Sequence, residues 1–385
     1  VIMRMPKILA IDIGMGTSDV FLYDSGKNME NCIKFVVPTP LRRYLKMLKG
    51  ISFENKRNIY ICGETIGGGP LAHKLTTLIE DGKADVYITP KAAYTVKNDH
   101  DEVREMGYKI IGETIFDIFQ KEPSKNFIID GNDIYMRFTE FEAPFLREFF
   151  ANSAENIDEF DGICVCAQDH GQCKKEISDR IHRFSEFRKI LNRETPPSPY
   201  LFCNKNGEIP GTFLRLTSIE NAISKSFPAM KSIVMDSSPA ALLGCLAYDD
   251  EHFELHKQRL EQPYLMVNMG NNHAIFVIAK NERILAFYEH HSWVYDEDPA
   301  KLESHIRNFC DGALSSEEVF NDEGNGAEYF DPPGFKNIKN IIVTGPNRNI
   351  FARTSLKVHY SAVAGDMMMS GPIGMIKAFK KLYGL

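Results

Sequence analysis

The sequence lacks the cysteine patterns that hold metal clusters or disulfide scaffolds. It has eight cysteines in 385 residues, and none of them forms a C-x-x-C pair or a C-x-x-x-C-x-x-C triplet. The missing triplet excludes the usual iron–sulfur ligands of a radical enzyme that uses S-adenosylmethionine, and so few cysteines exclude a disulfide framework. Cys164 and Cys166 lie in an apolar run, residues 162–167, and are expected to be buried free thiols because cysteine is among the most buried residue types.

Long apolar segments are also absent. No run of about 18 apolar residues could span a bilayer, and residues 1–7 lack the apolar stretch of a signal peptide. We therefore expect a cytoplasmic protein with no membrane partner. The 45 basic and 52 acidic residues give a net charge of −7, which is a poor electrostatic match to a nucleic acid. Small molecules or other proteins are the expected partners.

The length and composition indicate a globular α/β protein of two lobes. Hydrophobic residues make up 43% of the chain, and a lobe of roughly 100–200 residues can bury a core of its own. We place the first lobe at residues 1–247 and the second at residues 248–385.

An internal repeat is the strongest signal in the sequence. Gly14 aligns with Gly270 and Asp12 with Asn268, which are 268 − 12 = 256 residues apart. Three strand-like runs open each lobe, at residues 7–12, 19–24 and 32–37 and again at residues 264–269, 274–279 and 283–288. Such a duplication predicts two similar lobes that face each other across a central cleft, each contributing a glycine hairpin.

The first hairpin has the residue types that bind phosphate. Gly14 and Gly16 have no Cβ, so backbone N–H groups there can approach an anion closely, and Thr17 adds a hydroxyl donor. Asp12, at the end of the strand, is placed to hold Mg²⁺. The same residues also fit a tight turn in which Asp12 accepts only turn hydrogen bonds.

Two later segments match this hairpin. Asn268, Gly270 and Asn271 form a second hairpin, which could clamp a terminal phosphate from the opposite lobe. Thr344 and Gly345 end an apolar strand in a glycine turn, where the adenosine of a nucleotide could lie on exposed backbone. Together the three segments predict a nucleotide site.

Polar residues at other strand ends are candidates for catalysis. Asp236 precedes a helix of small residues and is either the general base for an acceptor hydroxyl or the N-cap of that helix. Asp169 and His170 follow a buried strand, where α/β sheets place their ligands. They could orient an attacking water or touch the substrate.

Three further patterns have simpler interpretations. Glu289, His290 and His291 are expected to be structural more than metal-binding, because adjacent histidines on a strand point in opposite directions. The three glycines at residues 67–69 either contact an anion at a helix N-terminus or form a surface loop. The charged run at residues 174–193 is expected to be a solvated helix face.

The order of the motifs resembles that of the superfamily of actin, the heat-shock ATPase chaperones and the sugar kinases. Its members carry a first phosphate hairpin, a connecting helix, a second phosphate hairpin, an adenosine loop and a second connecting helix. The corresponding segments here are residues 12–19, 236–246, 268–273, 344–347 and 370–379. The resemblance implies a two-lobed, actin-like ATPase fold built from a duplicated ribonuclease H-like unit, with ATP and Mg²⁺ as cofactors. It also implies an ATPase or a kinase, in which Asp236 would be the general base.

The sequence is similar, in addition, to a prokaryotic family labelled "putative pyruvate formate-lyase activating enzyme". The similar segments are residues 63–70, 167–171, 287–291 and 365–371. The label implies activation of a glycyl-radical enzyme, which the missing cysteine triplet does not support. Asn268 departs from the superfamily, in which many members have a second Asp, and residues 344–346 contain one glycine where relatives often have two. We therefore expect nucleotide binding more than fast turnover, with a catalytically silent nucleotide or anion sensor as the alternative.

Overall fold

The computed structural model describes residues 5–113, 117–173, 176–246 and 260–385. Its strands are β1 (Lys7–Ile13), β2 (Thr17–Asp24), β3 (Ile33–Pro38), β4 (Arg57–Gly63), β5 (Ala84–Ile88), β6 (Lys109–Ile110), β7 (Phe127–Asp130), β8 (Asp133–Phe138), β9 (Gly162–Ala167), β10 (Asn204–Lys205), β11 (Ser232–Met235), β12 (Tyr264–Met269), β13 (His273–Lys280), β14 (Arg283–His291), β15 (Gly326–Tyr329), β16 (Asn340–Thr344) and β17 (His359–Tyr360).

The α-helices are α1 (Pro40–Lys49), α2 (Gly69–Glu80), α3 (Pro90–Ala93), α4 (His100–Glu105), α5 (Ile118–Lys121), α6 (Ala143–Asn152), α7 (Asp179–Leu191), α8 (Leu214–Ser226), α9 (Ser237–Cys245), α10 (Ser292–Glu297), α11 (Pro299–Cys310), α12 (Ser316–Asn321) and α13 (Ser370–Tyr383). Short 3-10 helices lie at Met29–Asn31, Ile157–Glu159, Pro199–Phe202, Phe335–Asn337, Arg348–Arg353, Val363–Gly365 and Met367–Met369. None of the described helices is both long and apolar enough to cross a membrane.

Two large sheets share one strand order. In the first, β1, β2 and β3 form an antiparallel meander, and β9 and β11 continue the sheet in parallel on the other side of β1. In the second, β12, β13 and β14 form the meander, and β16 and β17 continue the sheet in parallel beside β12. This repeated order is a duplicated ribonuclease H-like unit, so the predicted two-lobed α/β fold is confirmed.

The duplication extends to individual residues. Asp12 is the direct partner of Asp19 on the neighbouring strand of the first meander. Asn268 is the direct partner of Ile275 in the second meander. Both pairs are related by the 256-residue offset of the repeat, since 268 − 12 and 275 − 19 both equal 256. The predicted division of the lobes between residues 247 and 248 falls outside the described residues.

A third, smaller sheet is inserted in the first lobe between β3 and β9. Its strand order is β6-β5-β4-β8-β7, and it has a hydrophobic core of its own, which includes Ile59, Leu75, Val86 and Ile134. The presence of this separate sheet was not predicted from the sequence.

The first helix illustrates how local sequence builds this region. The Oγ1 atom of Thr39 accepts a hydrogen bond from the Arg42 N–H (3.3 Å) and so caps α1. Leu41, Tyr44 and Leu48 follow at spacings of three and four residues and are buried. Such spacing gives a helix one apolar face, and this face packs into the core of the inserted sheet.

Two connecting helices cross where the lobes meet. Helix α9 packs against β12 and β16 of the second sheet, and α13 packs against β1 and β9 of the first sheet. A Cβ added at Gly244 would lie 1.9 Å from the Ser370 carbonyl oxygen, and one added at Gly374 would lie 1.8 Å from the Ala240 carbonyl oxygen. Only glycine therefore permits this close backbone contact between the two helices.

Helix α7, within the charged run at residues 174–193, has a buried side and a solvated side. Arg183, Phe184, Phe187 and Leu191 are buried, whereas Asp179 and Lys189 are exposed. The predicted solvated face therefore covers only one side of the helix, because the apolar residues at helical spacing turn the other side toward the core. Residues 174 and 175 lie outside the described part of the chain.

Candidate functional site

A cavity of about 570 Å³ lies where the two large sheets and the inserted sheet meet. The predicted site residues that line it are Asp12, Gly14, Thr17, Asp169, His170, Asn268, Gly270, Asn271, Thr344 and Gly345. Of the other predicted residues, Gly16 lies in the same turn as Gly14, and Asp236 lies behind the cavity wall. The cavity is thus the central cleft expected from the repeat, and residues 65–70 of the inserted sheet add a further wall.

The two glycine hairpins have the same turn. In the first hairpin (β1, residues 14–16 and β2), the Gly14 N–H donates to the Thr17 carbonyl oxygen (2.9 Å). In the second hairpin (β12, residues 270–272 and β13), the Gly270 N–H donates to the His273 carbonyl oxygen (2.9 Å). The cavity therefore has one equivalent turn from each lobe, and their binding of phosphate stays a prediction.

Asp12 is held at the floor of the cavity. The Ser237 hydroxyl, in the first turn of α9, donates to Asp12 Oδ1 (2.6 Å). On the other side, a Cβ added at Gly371 would lie 2.3 Å from Asp12 Oδ2, so the start of α13 also packs against this carboxylate. Burial raises the pKa of Asp12 to about 6. The carboxylate is fixed in position by both connecting helices.

Asp19, which was not among the predicted site residues, also lines the cavity. Its side chain is 6% exposed, and its Oδ1 atom has no hydrogen-bond partner in the described part of the chain. Burial, followed by the negative charge of Asp12, raises the pKa of Asp19 to about 8. Two carboxylates that lie side by side in this way suit a bound divalent cation, which prefers carboxylate oxygens as ligands.

The predicted adenosine loop is docked on the second hairpin. Gly345 has a φ of +97°, and a Cβ at this position would lie 2.4 Å from the Met269 carbonyl oxygen. The Asn347 side-chain amide donates to the Gly270 carbonyl oxygen (2.8 Å). At the strand end, the hydroxyl groups of Thr344 and Ser370 are hydrogen-bonded (2.9 Å). The loop and the hairpin form one continuous backbone surface, and contact with adenosine stays a prediction.

A buried charge network lies behind the cavity wall. Arg183, which is fully buried, donates from Nη1 to Asp236 Oδ2 (2.8 Å) and from Nε to Glu289 Oε1 (2.8 Å). His273 Nδ1 lies 3.0 Å from the same Glu289 oxygen. Burial alone would raise the pKa of Glu289, but the positive charge of Arg183 and the contact with His273 outweigh it and hold this pKa at about 2. Arg183 therefore joins α7 to α9 and to β14 of the other lobe.

Asp236 has contacts that fit the N-cap alternative. Its Oδ1 atom accepts a hydrogen bond from the Ser238 N–H (3.1 Å), which caps α9. Its Oδ2 atom accepts from the Asp169 N–H (3.2 Å) in addition to Arg183. The role of Asp236 as a general base stays a prediction.

Asp169 and His170 differ in the burial and the contacts of their side chains. Asp169 is buried and accepts hydrogen bonds from the N–H groups of Gly171 (2.8 Å) and Leu216 (3.0 Å), so it holds the loop after β9. His170 is exposed to the cleft and meets the ring of His273 edge-on, with 5.1 Å between ring centroids. The enclosing protein, with smaller effects from Arg183 and His273, lowers the pKa of His170 to about 3. The ring is neutral at neutral pH.

Arg215 connects the inserted sheet to the floor of the cavity. It donates to both carboxylate oxygens of Glu140 (2.7 Å each) and to the Gln168 and Ile13 carbonyl oxygens (2.5 and 3.3 Å). Glu140 in turn accepts from the Gly67 N–H (3.1 Å). The glycines at residues 67–69 line the cavity, and their contact with an anion stays a prediction.

The histidines of β14 lie in hydrogen-bonded surroundings. His290, His305 and Asp322 each place one potential ligand atom within 4.8 Å of the others. His290 Nδ1 lies 2.8 Å from the His291 N–H, which donates to it, and His290 Nε2 lies 3.3 Å from Asp322 Oδ2. Asp322 is also paired with Lys301 (2.6 Å). The expected structural role of the β14 histidines stays a prediction.

Arg183, Asp19 and Arg215 are the site residues that sequence reasoning missed. For Arg183 there was no local signal, because its partners Asp236 and Glu289 are distant in the sequence. For Asp19 the signal was its position opposite Asp12 once the first hairpin had been predicted. We find no local signal for Arg215, because its partners are distant in the sequence.

The strand order, the crossed helices and the paired turns define a two-lobed protein of the actin-like class. The chain belongs to the family described as "Putative pyruvate format-lyase activating enzyme (DUF1786)", whose model matches residues 66–350. No curated protein is matched by the sequence. All eight cysteines are free, and the one group of metal-ligating side chains found among the described residues contains no cysteine.

Solved structures of actin-like proteins are similar along nearly the whole chain. MreB5 of Spiroplasma citri bound to AMPPNP is 11% identical, with coverage of 98% of this chain and 97% of that one, at a TM-score of 0.35. The apo pSK41 ParM protein is 13% identical, with 98% of each chain covered, at a TM-score of 0.30. Gluconate kinase from Lactobacillus acidophilus is 10% identical, with 99% and 90% covered, at a TM-score of 0.32. At TM-scores this low, the strand order described above is what defines the fold.

Proposed function

We propose that the cleft binds ATP with Mg²⁺ and that the protein is an ATPase or a small-molecule phosphotransferase. The observation that carries this proposal is the pair of equivalent glycine turns, one from each lobe, at a single cavity. Backbone N–H groups in such turns bind anions. A triphosphate held between two of them would also hold the two lobes together.

In this proposal the phosphates lie against Gly14, Gly16 and Thr17 and are clamped from the opposite lobe by Gly270 and Asn271. The adenosine lies on the backbone at Thr344 and Gly345, which border the same cavity. Mg²⁺ is held by Asp12 and, when bound, offsets the negative charge of the phosphates.

The residues at the end of β9 are the proposed catalytic groups. His170 is neutral and reaches the cavity, so it can hydrogen-bond an attacking water or an acceptor hydroxyl. Asp169 holds the loop that carries His170. Asp236 remains the proposed base if the protein is a kinase, although its bonds to Arg183 favour a positioning role. If the protein is a kinase, the phosphate acceptor would be a small molecule. If it is an ATPase, hydrolysis would drive a protein partner.

A catalytically silent nucleotide or anion sensor is the second candidate. Asn268 favours this candidate. It is the equivalent of Asp12 in the second lobe, and it has an amide where Asp12 has a carboxylate. One negative group near the metal is then missing. Activation of a glycyl-radical enzyme, as the family description says, finds no support in the arrangement of the cysteines.

Thermal unfolding with ATP or ADP, each with and without Mg²⁺, tests the binding. We expect ATP with Mg²⁺ to stabilise the protein, by about 2.7 kcal/mol when the nucleotide is at 100 times its dissociation constant. Asp12→Asn should lose most of this gain, whereas Asp130→Asn, at an exposed strand end, should keep it. No stabilisation of the wild type at millimolar nucleotide would contradict the proposal.

Product analysis then separates the candidates. ADP formed together with free phosphate in water alone identifies an ATPase, whereas ADP formed together with a phosphorylated acceptor, without free phosphate, identifies a kinase. If neither occurs although ATP binds, and Asp236→Asn changes nothing, the sensor is the better description.

A further inference from the structure

The first hairpin presents two carboxylates to the cavity. Asp12 and Asp19 are direct partners across the antiparallel strands β1 and β2. Residues paired in this way have their side chains on the same face of the sheet, with Cβ atoms roughly 4.5–5.5 Å apart. Since both residues line the cavity, two acidic groups converge at one point of its wall.

One oxygen of the Asp19 carboxyl group has no partner among the described residues. Its Oδ1 atom is buried and has no hydrogen bond in the described part of the chain. The charged groups that act on it, Asp12 and Asp366, are both negative. A buried carboxylate is costly to ionise unless it is paired or coordinates a metal. A cation between Asp12 and Asp19 would supply the partner that Oδ1 lacks.

The fold itself does not require an acid at this position. The equivalent residue in the second lobe, by the 256-residue offset, is Ile275, which is fully buried and apolar. Both hairpins nevertheless have the same turn and the same strand register. The hairpin can therefore form without an acidic residue at this position, which points to a role for Asp19 other than folding.

We propose that Asp12 and Asp19 together form a divalent-cation site that fills in the absence of nucleotide, and that phosphate groups bind through the cation held there. Mg²⁺ and Mn²⁺ both accept carboxylate oxygens, phosphate oxygens and water as ligands. The hydroxyl of Thr17, which is hydrogen-bonded to Asp19, lies beside these ligands. The first part of the proposal stands alone, whereas the second rests on the proposed function.

Titration of the full-length, nucleotide-free protein with Mn²⁺ tests the first part, with free Mn²⁺ measured by electron paramagnetic resonance. We expect one Mn²⁺ per chain, an affinity lower by about tenfold or more in Asp19→Asn, and no change in Asp130→Asn. Circular dichroism checks that both variants fold. No Mn²⁺ bound at millimolar concentration, or equal affinity in Asp19→Asn and the wild type, would overturn the proposal.

Calorimetric titration with ATP tests the second part. We expect ATP to bind the wild type only when Mg²⁺ or Mn²⁺ is present, and to bind Asp19→Asn more weakly at the same metal concentration. Equal binding in a chelator would refute the role of the cation in nucleotide binding. Binding of Mn²⁺ without any binding of ATP would support the cation site and contradict the nucleotide function.

Discussion

Arg183 gives the sharpest test of how the two lobes are joined. It is fully buried, and its partners Asp236 and Glu289 are 4% and 0% exposed. In Arg183→Met the side-chain volume is nearly kept, but two carboxylates lose their positive partner in a place that water does not reach. We therefore expect a large loss of stability, because an uncompensated buried charge is among the costliest changes in a core.

The magnitude follows from the ionisation of Glu289. A pKa of about 2 in place of 4.5 corresponds to about 3 kcal/mol of stabilisation at neutral pH. Breaking a buried ion pair costs about 3–5 kcal/mol in general, so we expect a loss in that range and a melting temperature lower by roughly 5–10 °C. The change is large compared with a total stability of about 5–15 kcal/mol.

The pH dependence supplies a second signature. In the wild type the pKa of Glu289 is lowered, so its contribution is present above pH 4.5 and is lost as the pH falls toward 2. Without Arg183, burial raises the pKa of the Glu289 carboxyl group. As the pH falls from 7 to 5, the folded variant therefore binds a proton at Glu289 that the unfolded chain does not bind, and this stabilises the folded variant. The stability difference between Arg183→Met and the wild type should therefore shrink between pH 7 and pH 5.

Urea unfolding followed by far-ultraviolet circular dichroism measures both effects. The control is the triple variant Arg183→Met, Asp236→Asn, Glu289→Gln, which removes all three charges and should recover at least half of the loss. A loss below about 1 kcal/mol in Arg183→Met, or a triple variant less stable than the single one, would refute this account of the network.

Two other changes test the lobe junction and the histidines of β14. Gly374→Ala places a Cβ 1.8 Å from the Ala240 carbonyl oxygen, so we expect a loss of about 3 kcal/mol or more in urea unfolding. Gly211→Ala, where nothing lies within 4 Å of the added Cβ, is the matched control and should have almost no effect. Burial lowers the pKa of His290 from 6.5 to about 4. Between these pH values the unfolded chain binds a proton at His290 that the folded chain does not bind, so the free energy of unfolding decreases as the pH falls. His290→Asn should therefore lose less stability than the wild type between pH 6.5 and pH 4, and an unchanged loss would contradict the assignment.

The repeated part of the fold could be predicted because its signal is local. Asp12 and Gly14 align with Asn268 and Gly270, and a strand followed by a glycine turn specifies a hairpin within a few residues. Placement of the hairpins at one cavity follows from the duplication. The burial of Cys164 and Cys166, which are both fully buried, also follows from their apolar neighbours.

The remaining features depend on contacts between distant residues. Arg183 lies in a charged segment that has the composition of an exposed helix, and only Asp236 and Glu289, which are 53 and 106 residues away, explain its burial. The same holds for Arg215, whose partner Glu140 is 75 residues away, just after β8 of the inserted sheet. A single sequence shows the charge of such residues but not the partner that makes their burial favourable.

The crossed helices limit how the protein can move. At Gly244 and Gly374 the backbones already touch, so α9 and α13 have no room to slide past each other, and a packed contact of this kind resists shear. We therefore expect any movement of one lobe against the other to be a rotation about this contact. Asp12, against which Gly371 of α13 packs, would move little in such a rotation.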